Sequence, residues 1–405
     1  MPTAPDTADG SRRRKILSVS GFAHFIHDGF TDTVYVLLPL WASGLGLSHA
    51  EVGLLKSCIS TGLAAFQVPA GYLAERVGER AVLALGTVLA GLGFMGLAFA
   101  DGFAGLAVCL FITGIGCSTQ HPLASALVSR AYEGGRRRAA LGTYNFTGDL
   151  GKIAIPASVA AIAAAVGWRY GSFGYGVVGL VAALGLYIFL HRIKAGGAVA
   201  RSGPEKSAAG EKPAGWGIRD RRGFSILAAI GVIDSGSRLG LLTFLPFLLI
   251  GKGAETEAVG FALALVFAGG AAGKLICGLA AERIGILRTV VGTELATTGL
   301  IFAVIAAPLV PALILLPLLG IALNGTSSVL YGTIGDFIDP DRQARAFGLF
   351  YTLGIGAGVA SPFIFGVVSD TWGLEAAVAA LAAMVMLALP LCLLLRSSLA
   401  AAEQS

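Results

Sequence analysis

The chain has 405 residues, of which 55% are hydrophobic and only 13% charged, and its mean hydropathy is +0.79, whereas an ordinary soluble domain carries about 25% charged residues. That composition excludes a soluble globular domain. The formal charge of +5 does not point to nucleic acid either, because the basic residues are spread over many short connections. Apolar stretches of about 20 residues recur along the whole length, as helices crossing a hydrocarbon core require, so the chain reads as an integral membrane protein whose first partner is the lipid bilayer.

Twelve spanning segments are expected, at 16–41, 52–75, 81–101, 104–130, 139–166, 171–191, 224–250, 257–281, 289–309, 311–337, 344–368 and 374–396. Residues 1–15 form a basic tail with no cleavable signal peptide, because the segment that follows is too long and too polar for one. If the helices alternate, Arg12, Arg76, Arg80, Arg130, Arg136, Arg192, Arg222, Arg283, Arg288, Arg342 and Arg396 fall on one side, and only Arg169 and Lys252 on the other. The positive-inside rule then places both termini and the central loop in the cytoplasm of a cell with an inner, cytoplasmic membrane.

The first segment carries "HFIHDGFTD" at 24–32, four titratable groups where water should be scarce. His24, Asp28 and Asp32 stand at i, i+4 and i+8, one stripe of a helix, with His27 beside it and Tyr35 near its end. Between the second and third segments lies Gly71-Tyr-Leu-Ala-Glu75-Arg76-Val-Gly78-Glu-Arg80, in which the glycines permit a tight turn and the charges can pair across helix ends. The fourth segment carries Gln120 and His121. The fifth places Asn145, Asp149 and Lys152 on one face, interleaved with Gly148 and Gly151.

Residues 192–222, rich in Gly, Ala, Pro and charge, read as a flexible linker between two membrane domains at 16–191 and 223–396, with a tail at 397–405. The two halves repeat one plan. "GYLAERVGER" at 71–80 returns as "GLAAERIGIL" at 278–287, and in the same register Pro39 meets Pro246, Gly53 meets Gly260, Gly62 meets Gly269 and Gln67 meets Lys274. One residue less superimposes Asp28 on Asp234, Gly114 on Gly320 and Gly142 on Gly348. In the second half Asp234 and Arg238 stand at i, i+4, Lys274 lies in the eighth segment, and Asn324, Tyr331 and Tyr351 supply polar groups to the tenth and eleventh.

The segment Gly71 to Arg80 resembles the loop signature of the major facilitator superfamily, and Gly278, Glu282 and Arg283 resemble its second, degenerate copy. The resemblance covers essentially the whole chain. It implies an all-α membrane protein with twelve transmembrane helices in two pseudo-symmetric six-helix bundles, transporting by alternating access of a rocker-switch kind. "HFIHD" at 24–28, "GIGCSTQHPLAS" at 114–125 and "GGRRRAALGTYNFTGDLG" at 134–151 further resemble the fosmidomycin-resistance branch. The absence of an Arg ahead of Gly114 speaks against a multidrug antiporter. In the superfamily the first, fourth, seventh and tenth helices line a central cavity, so the resemblance implies that these polar residues converge on one aqueous pocket.

An ionisable group inside a membrane is a functional candidate by default. Asp28, Asp32, Asp149 and Asp234, with His24 and His27, are the candidate proton carriers: Asp28 and Asp32 are close enough to disfavour simultaneous ionisation, and histidine titrates near neutrality. Lys152, Arg238 and Lys274 are candidate donors to an anion, with His121, Gln120, Tyr35, Asn145, Asn324, Tyr331 and Tyr351 completing the substrate set. The expectation is a monomeric, proton-coupled transporter of a small organic anion, with a phosphonate-like drug as candidate efflux cargo. No cofactor or resident metal is expected: Cys58, Cys109, Cys117, Cys277 and Cys392 show no C-x-x-C pairing. A divalent-metal carrier using His24, Asp28 and Asp32 is the alternative, and a transporter-like sensor or assembly factor a third. No H-E-x-x-H or G-x-S-x-G suggests an enzyme.

Overall fold

The computed structural model describes residues 7–132, 134–197, 218–338 and 343–402. Most of the predicted linker therefore lies outside the described residues, as do the first six and last three positions. Among the described residues the chain is helical throughout. In order, the helices are α1 (Thr7–Leu45), α2 (His49–Val77), α3 (Glu79–Leu97), α4 (Phe103–Cys117), α5 (Gln120–Ala131), α6 (Gly134–Val166), α7 (Trp168–Arg192), α8 (Arg221–Gly251), α9 (Thr256–Ile284), α10 (Ile286–Ala306), α11 (Leu309–Thr333), α12 (Gln343–Trp372), α13 (Leu374–Met386) and α14 (Ala388–Ala402). An isolated bridge pairs Ile218 with Ile338.

Ten stretches among the described residues are long and apolar enough to cross a membrane, with α4–α5 and α13–α14 each counted as one. The protein is thus a multi-pass membrane protein. α1 and α2, at 39 and 29 residues, match it in length but are diluted by polar residues. The outward faces of the other spanning helices follow the rule for lipid rather than water: Val181 and Leu184 on α7, Leu275 on α9, Val310 and Ile314 on α11 and Leu393 on α14 are all exposed.

Two expectations shift locally. The fourth segment is broken at Ser118–Thr119, where Ser118 Oγ donates to the Ile115 carbonyl at 2.6 Å and Thr119 Oγ1 to the Gly116 carbonyl at 3.0 Å. These hydroxyls offer the backbone an alternative to helix. Pro122, four residues beyond Ser118, has no N–H to give that carbonyl. Pro390 interrupts α13–α14 in the same way. The first helix also begins at Thr7 rather than at the start of the apolar run. Its basic turn has a use: Arg12 Nε and Nη2 donate to the carbonyls of Ile193 and Lys194, both at 3.0 Å, capping the end of α7.

The chain forms two compact units, Met1–Leu37 with Cys58–Glu205, and Leu38–Ser57 with Lys206–Ser405. In the first, Ile16, Leu83, Leu127, Val128, Tyr144 and Leu190 form a core; in the second, Phe224, Leu227, Ile230, Leu330, Phe337 and Leu395 do so. The second unit takes in the first turns of α2, which lie on α12. Asp370 accepts from the N–H groups of His49 and Ala50, each at 2.8 Å, satisfying donors that a helix start leaves open. Gly53 and Gly366 let the two backbones touch, since a Cβ on either would run into a carbonyl of the other helix.

The internal repeat is visible in backbone angles. Gly78 opens α3 at φ 90° and Gly285 opens α10 at φ 91°; Gly167 opens α7 at φ 99° and Gly373 opens α13 at φ 91°. Each pair sits in the register that aligns the halves, and each turn needs a conformation that side chains with a Cβ avoid. Glu79 of this loop signature pairs with Arg130 in the last turn of α5 at 2.5 Å. Glu75, Arg76, Glu282 and Arg283 are exposed, Gly71 and Gly278 are partly buried, and Arg80 lies over the Tyr187 ring at 5.4 Å while its N–H donates to the Gly196 carbonyl.

A Cβ at Gly114 would meet the Ile59 carbonyl of α2, whereas one at Gly299 meets nothing within 4 Å. Gly114→Ala should therefore cost about 1–3 kcal/mol through overpacking against backbone that cannot yield. Gly299→Ala should be neutral or stabilising by up to about 1 kcal/mol. Thermal melts of the two variants in one detergent check the contrast.

Candidate functional site

In the first unit, Asp28 is the centre of the candidate site. It is 4% exposed, yet its carboxylate meets three other side chains: His24 Nε2 at 3.2 Å, Lys152 Nζ at 3.4 Å and His121 Nε2 at 3.7 Å. His24 comes from the same face of α1, as the i, i+4 spacing predicts. His121 comes from the first turn of α5, immediately after the break in the fourth segment, so that break is what aims it. Lys152 comes from α6. Glycine makes that approach possible: a Cβ at Gly148 would lie 2.5 Å from His24 Nε2 and 2.7 Å from Asp28 Oδ2, and one at Gly151 would collide with the Phe25 carbonyl.

The surroundings fix the protonation chemistry. His24 Nδ1 faces the Tyr144 carbonyl at 2.9 Å; a carbonyl only accepts, so Nδ1 carries the proton. The neutral ring would then present its bare Nε2 to a carboxylate oxygen. A hydrogen bond between them therefore requires one further proton, on the imidazole or on the carboxyl. The His24 ring stacks on Tyr144 at 4.3 Å and meets His121 edge-on at 5.0 Å. Gln120 is fully buried and donates to the Tyr144 hydroxyl at 2.9 Å. One side of the cluster is open, with the His121 and Lys152 side chains 47% and 30% exposed.

The other expected members of the first unit make contacts of their own. His27 turns to α3, its Nε2 2.8 Å from Thr87 Oγ1. Asp32 is partly buried and accepts from Thr31 Oγ1 at 3.4 Å. Asp149 and Tyr35 are buried and Asn145 is exposed. His24, Asp28 and His121 present ligand atoms within 4.8 Å of one another, so the metal-binding geometry uses His121 rather than Asp32. The ammonium of Lys152 beside the same carboxylate opposes a divalent ion there.

The second unit holds a separate polar group. Asp234 is 4% exposed and interacts electrostatically with Arg238 on its own helix. Tyr331 and Tyr351 stack at 4.7 Å, and Arg238 also acts on the Tyr331 hydroxyl. Asn324 fits against Gly270 and donates to the Gly320 carbonyl at 3.3 Å. Lys274 is exposed. Sequence reading missed Glu294, which is 2% exposed on α10 and whose Oε1 has no hydrogen-bond partner among the described residues. The available signal was a lone acid in an otherwise apolar spanning segment.

Residues 20–258 match the sequence profile of the Major Facilitator Superfamily. The probable sulfoacetate transporter SauU of Cupriavidus necator is 28% identical over 387 residues, covering 89% of this chain and 88% of that protein. The gentisate transporter of Corynebacterium glutamicum is 27% identical over 361 residues, covering 85% and 79%. The 4-hydroxybenzoate transporter PcaK of Acinetobacter baylyi is 26% identical over 397 residues, covering 89% and 84%. Among solved structures, a bacterial homologue of the human lysosomal transporter Spinster, inward-facing and unoccupied, matches with a TM-score of 0.80 at 16% identity over 98% of both chains. That likeness is one of fold.

If Lys152 neutralises Asp28, removing either alone should hurt more than removing both. In a double-mutant cycle of Asp28→Asn and Lys152→Met, melting data should give a coupling energy of about 0.5–3 kcal/mol. Additive losses would mean that the 3.4 Å contact carries no interaction.

Proposed function

The chain belongs to the major facilitator superfamily, and on that premise we propose that it is a proton-coupled secondary transporter of a small organic anion. It would work by rocking of two six-helix halves in the cytoplasmic membrane, with both termini inside. The observation that carries the reading is the buried Asp28, held between one lysine and two histidines in contacts that need a proton to be complete. Asp28 is the proton carrier and Lys152 the competing cation: a proton on Asp28 frees Lys152 for an anion, and an anion on Lys152 leaves Asp28 in need of a proton. Coupling follows because each ligand favours the state that receives the other.

The cargo class rests on two supports. Sulfoacetate, gentisate and 4-hydroxybenzoate, named for the relatives, are all small organic acids. Lys152 and Arg238 are donors suited to such anions, Arg238 in bidentate fashion. The first-half resemblance to the fosmidomycin-resistance branch points to a phosphonate, an anion of the same chemistry, and favours export; the named relatives favour a carboxylate or sulfonate. A divalent-metal carrier is the second reading, supported by the 4.8 Å cluster of His24, Asp28 and His121 and opposed by Lys152.

Purified protein screened by thermal shift against 4-hydroxybenzoate, sulfoacetate, a phosphonate and divalent metals separates these readings. True cargo at about 100 times its Kd should add about 2.7 kcal/mol, and stabilisation by metals alone would favour the second. In proteoliposomes, Asp28→Asn should cut proton-driven accumulation of the stabilising anion at least about tenfold while leaving the thermal shift. Undiminished uphill transport would remove Asp28 from the mechanism.

A further inference from the structure

In the second unit α10 and α14 lie side by side and leave a groove of about 420 Å³ between them, lined by Leu287, Arg288 and Val291 of α10 and by Cys392, Leu393 and Arg396 of α14. Arg288 and Val291 stand at i, i+3, and so do Leu393 and Arg396, so each helix offers the groove a guanidinium with an apolar side chain one turn away. α10 leaves the second copy of the loop signature and α14 runs into the C-terminal tail, and the positive-inside rule puts both of those ends in the cytoplasm. The two arginines therefore share the cytoplasmic end of the groove. Val291 and Leu393 lie deeper in the membrane, and Leu295, one turn beyond Val291, continues the apolar track on an exposed face of α10.

Two like charges lining one groove repel each other, and the protein does not offset them. Arg288 and Arg396 are both exposed, and neither has a hydrogen bond or ion pair among the described residues. The repeated scaffold does not demand them either. In the register of Gly78 and Gly285, Arg288 answers to Ala81; in that of Gly167 and Gly373, Arg396 answers to Leu190. Both equivalents are apolar, and the neighbouring Arg80 of the first unit is already placed over the Tyr187 ring. The paired arginines thus belong to the second unit alone, where an anion between them would turn repulsion into two charge-assisted contacts.

We propose that this groove binds an anionic phospholipid of the cytoplasmic leaflet, with its phosphate between Arg288 and Arg396 and an acyl chain along Val291, Leu295 and Leu393. Basic pockets between spanning helices on the cytoplasmic side suit such headgroups. A free phosphate would use the arginines but none of the apolar wall, which is why the ligand is a lipid. The site owes nothing to Asp28 or to the cargo, so it can fail while the carrier reading stands.

Full-length protein in a neutral detergent, titrated with phosphatidylglycerol and followed by native mass spectrometry, tests this. Phosphatidylglycerol should be retained more tightly than phosphatidylcholine of the same acyl chains. Arg288→Gln combined with Arg396→Gln should weaken its binding at least about tenfold, since each basic residue near an anionic lipid is worth about fivefold. Arg192→Gln combined with Arg221→Gln removes as many exposed charges elsewhere and should leave binding unchanged. Arg288→Lys combined with Arg396→Lys should keep binding above that of the Gln pair, and it guards against a misfolded Gln variant. Equal retention of the two lipids, or equal loss in the two Gln pairs, overturns the site. Displacement of phosphatidylglycerol by an equal concentration of glycerol phosphate would show a site for soluble anions and overturn the lipid assignment.

Discussion

A carboxyl inside a membrane protein has to be matched by a cation, by a proton or by water, because the hydrocarbon around it offers none of these. The polar architecture of this chain follows from how that requirement is met. Asp28 is met by Lys152 and two histidines drawn from three other turns of helix. Asp370, at the end of α12, is met by the free N–H groups of His49 and Ala50 at the start of α2. Asp234 has Arg238 one turn along its own helix, whereas Glu294 is buried with its Oε1 unpartnered among the described residues.

Close packing is the means by which these matches are made. Without a hydrophobic drive between helices in lipid, association depends on backbone approach and on interhelical polar contacts. Gly148 and Gly151 bring α6 against α1 so closely that Lys152 reaches a carboxylate on the neighbouring helix. Gly114 and Gly116 press α4 against α2 and α3, and the helix then breaks and restarts with Gln120 and His121 at its new beginning. The same glycines that would look like loss of helix propensity in water thus set the positions of the charged groups.

Much of the scaffold could be read from the residues alone. Long apolar runs have few structural options in lipid, and so the helical class and the turns at Gly78 and Gly285 followed from composition and from the repeated loop signature. The site was readable along one helix but not between helices. The His24 and Asp28 spacing anticipated their contact, yet nothing in the spacing says that His121 rather than Asp32 completes the group, because that depends on where a broken helix restarts. Nor does periodicity say that His27, one residue from Asp28, turns to Thr87 on α3. Glu294 lies on α10, outside the helices that the resemblance assigns to a cavity, and spacing alone does not show that it is buried.

The comparison of the two halves separates what the repeat preserves from what it varies. Glycines at left-handed turns recur in register, since any other residue there would strain the backbone whatever the cargo. Asp28 and Asp234 also recur in register, but their surroundings do not: the first is answered from α5 and α6 as well as its own helix, the second by Arg238 on its own helix. A duplicated scaffold constrains the backbone at both copies equally, whereas each copy of a buried charge can be satisfied by whichever neighbour supplies the opposite sign.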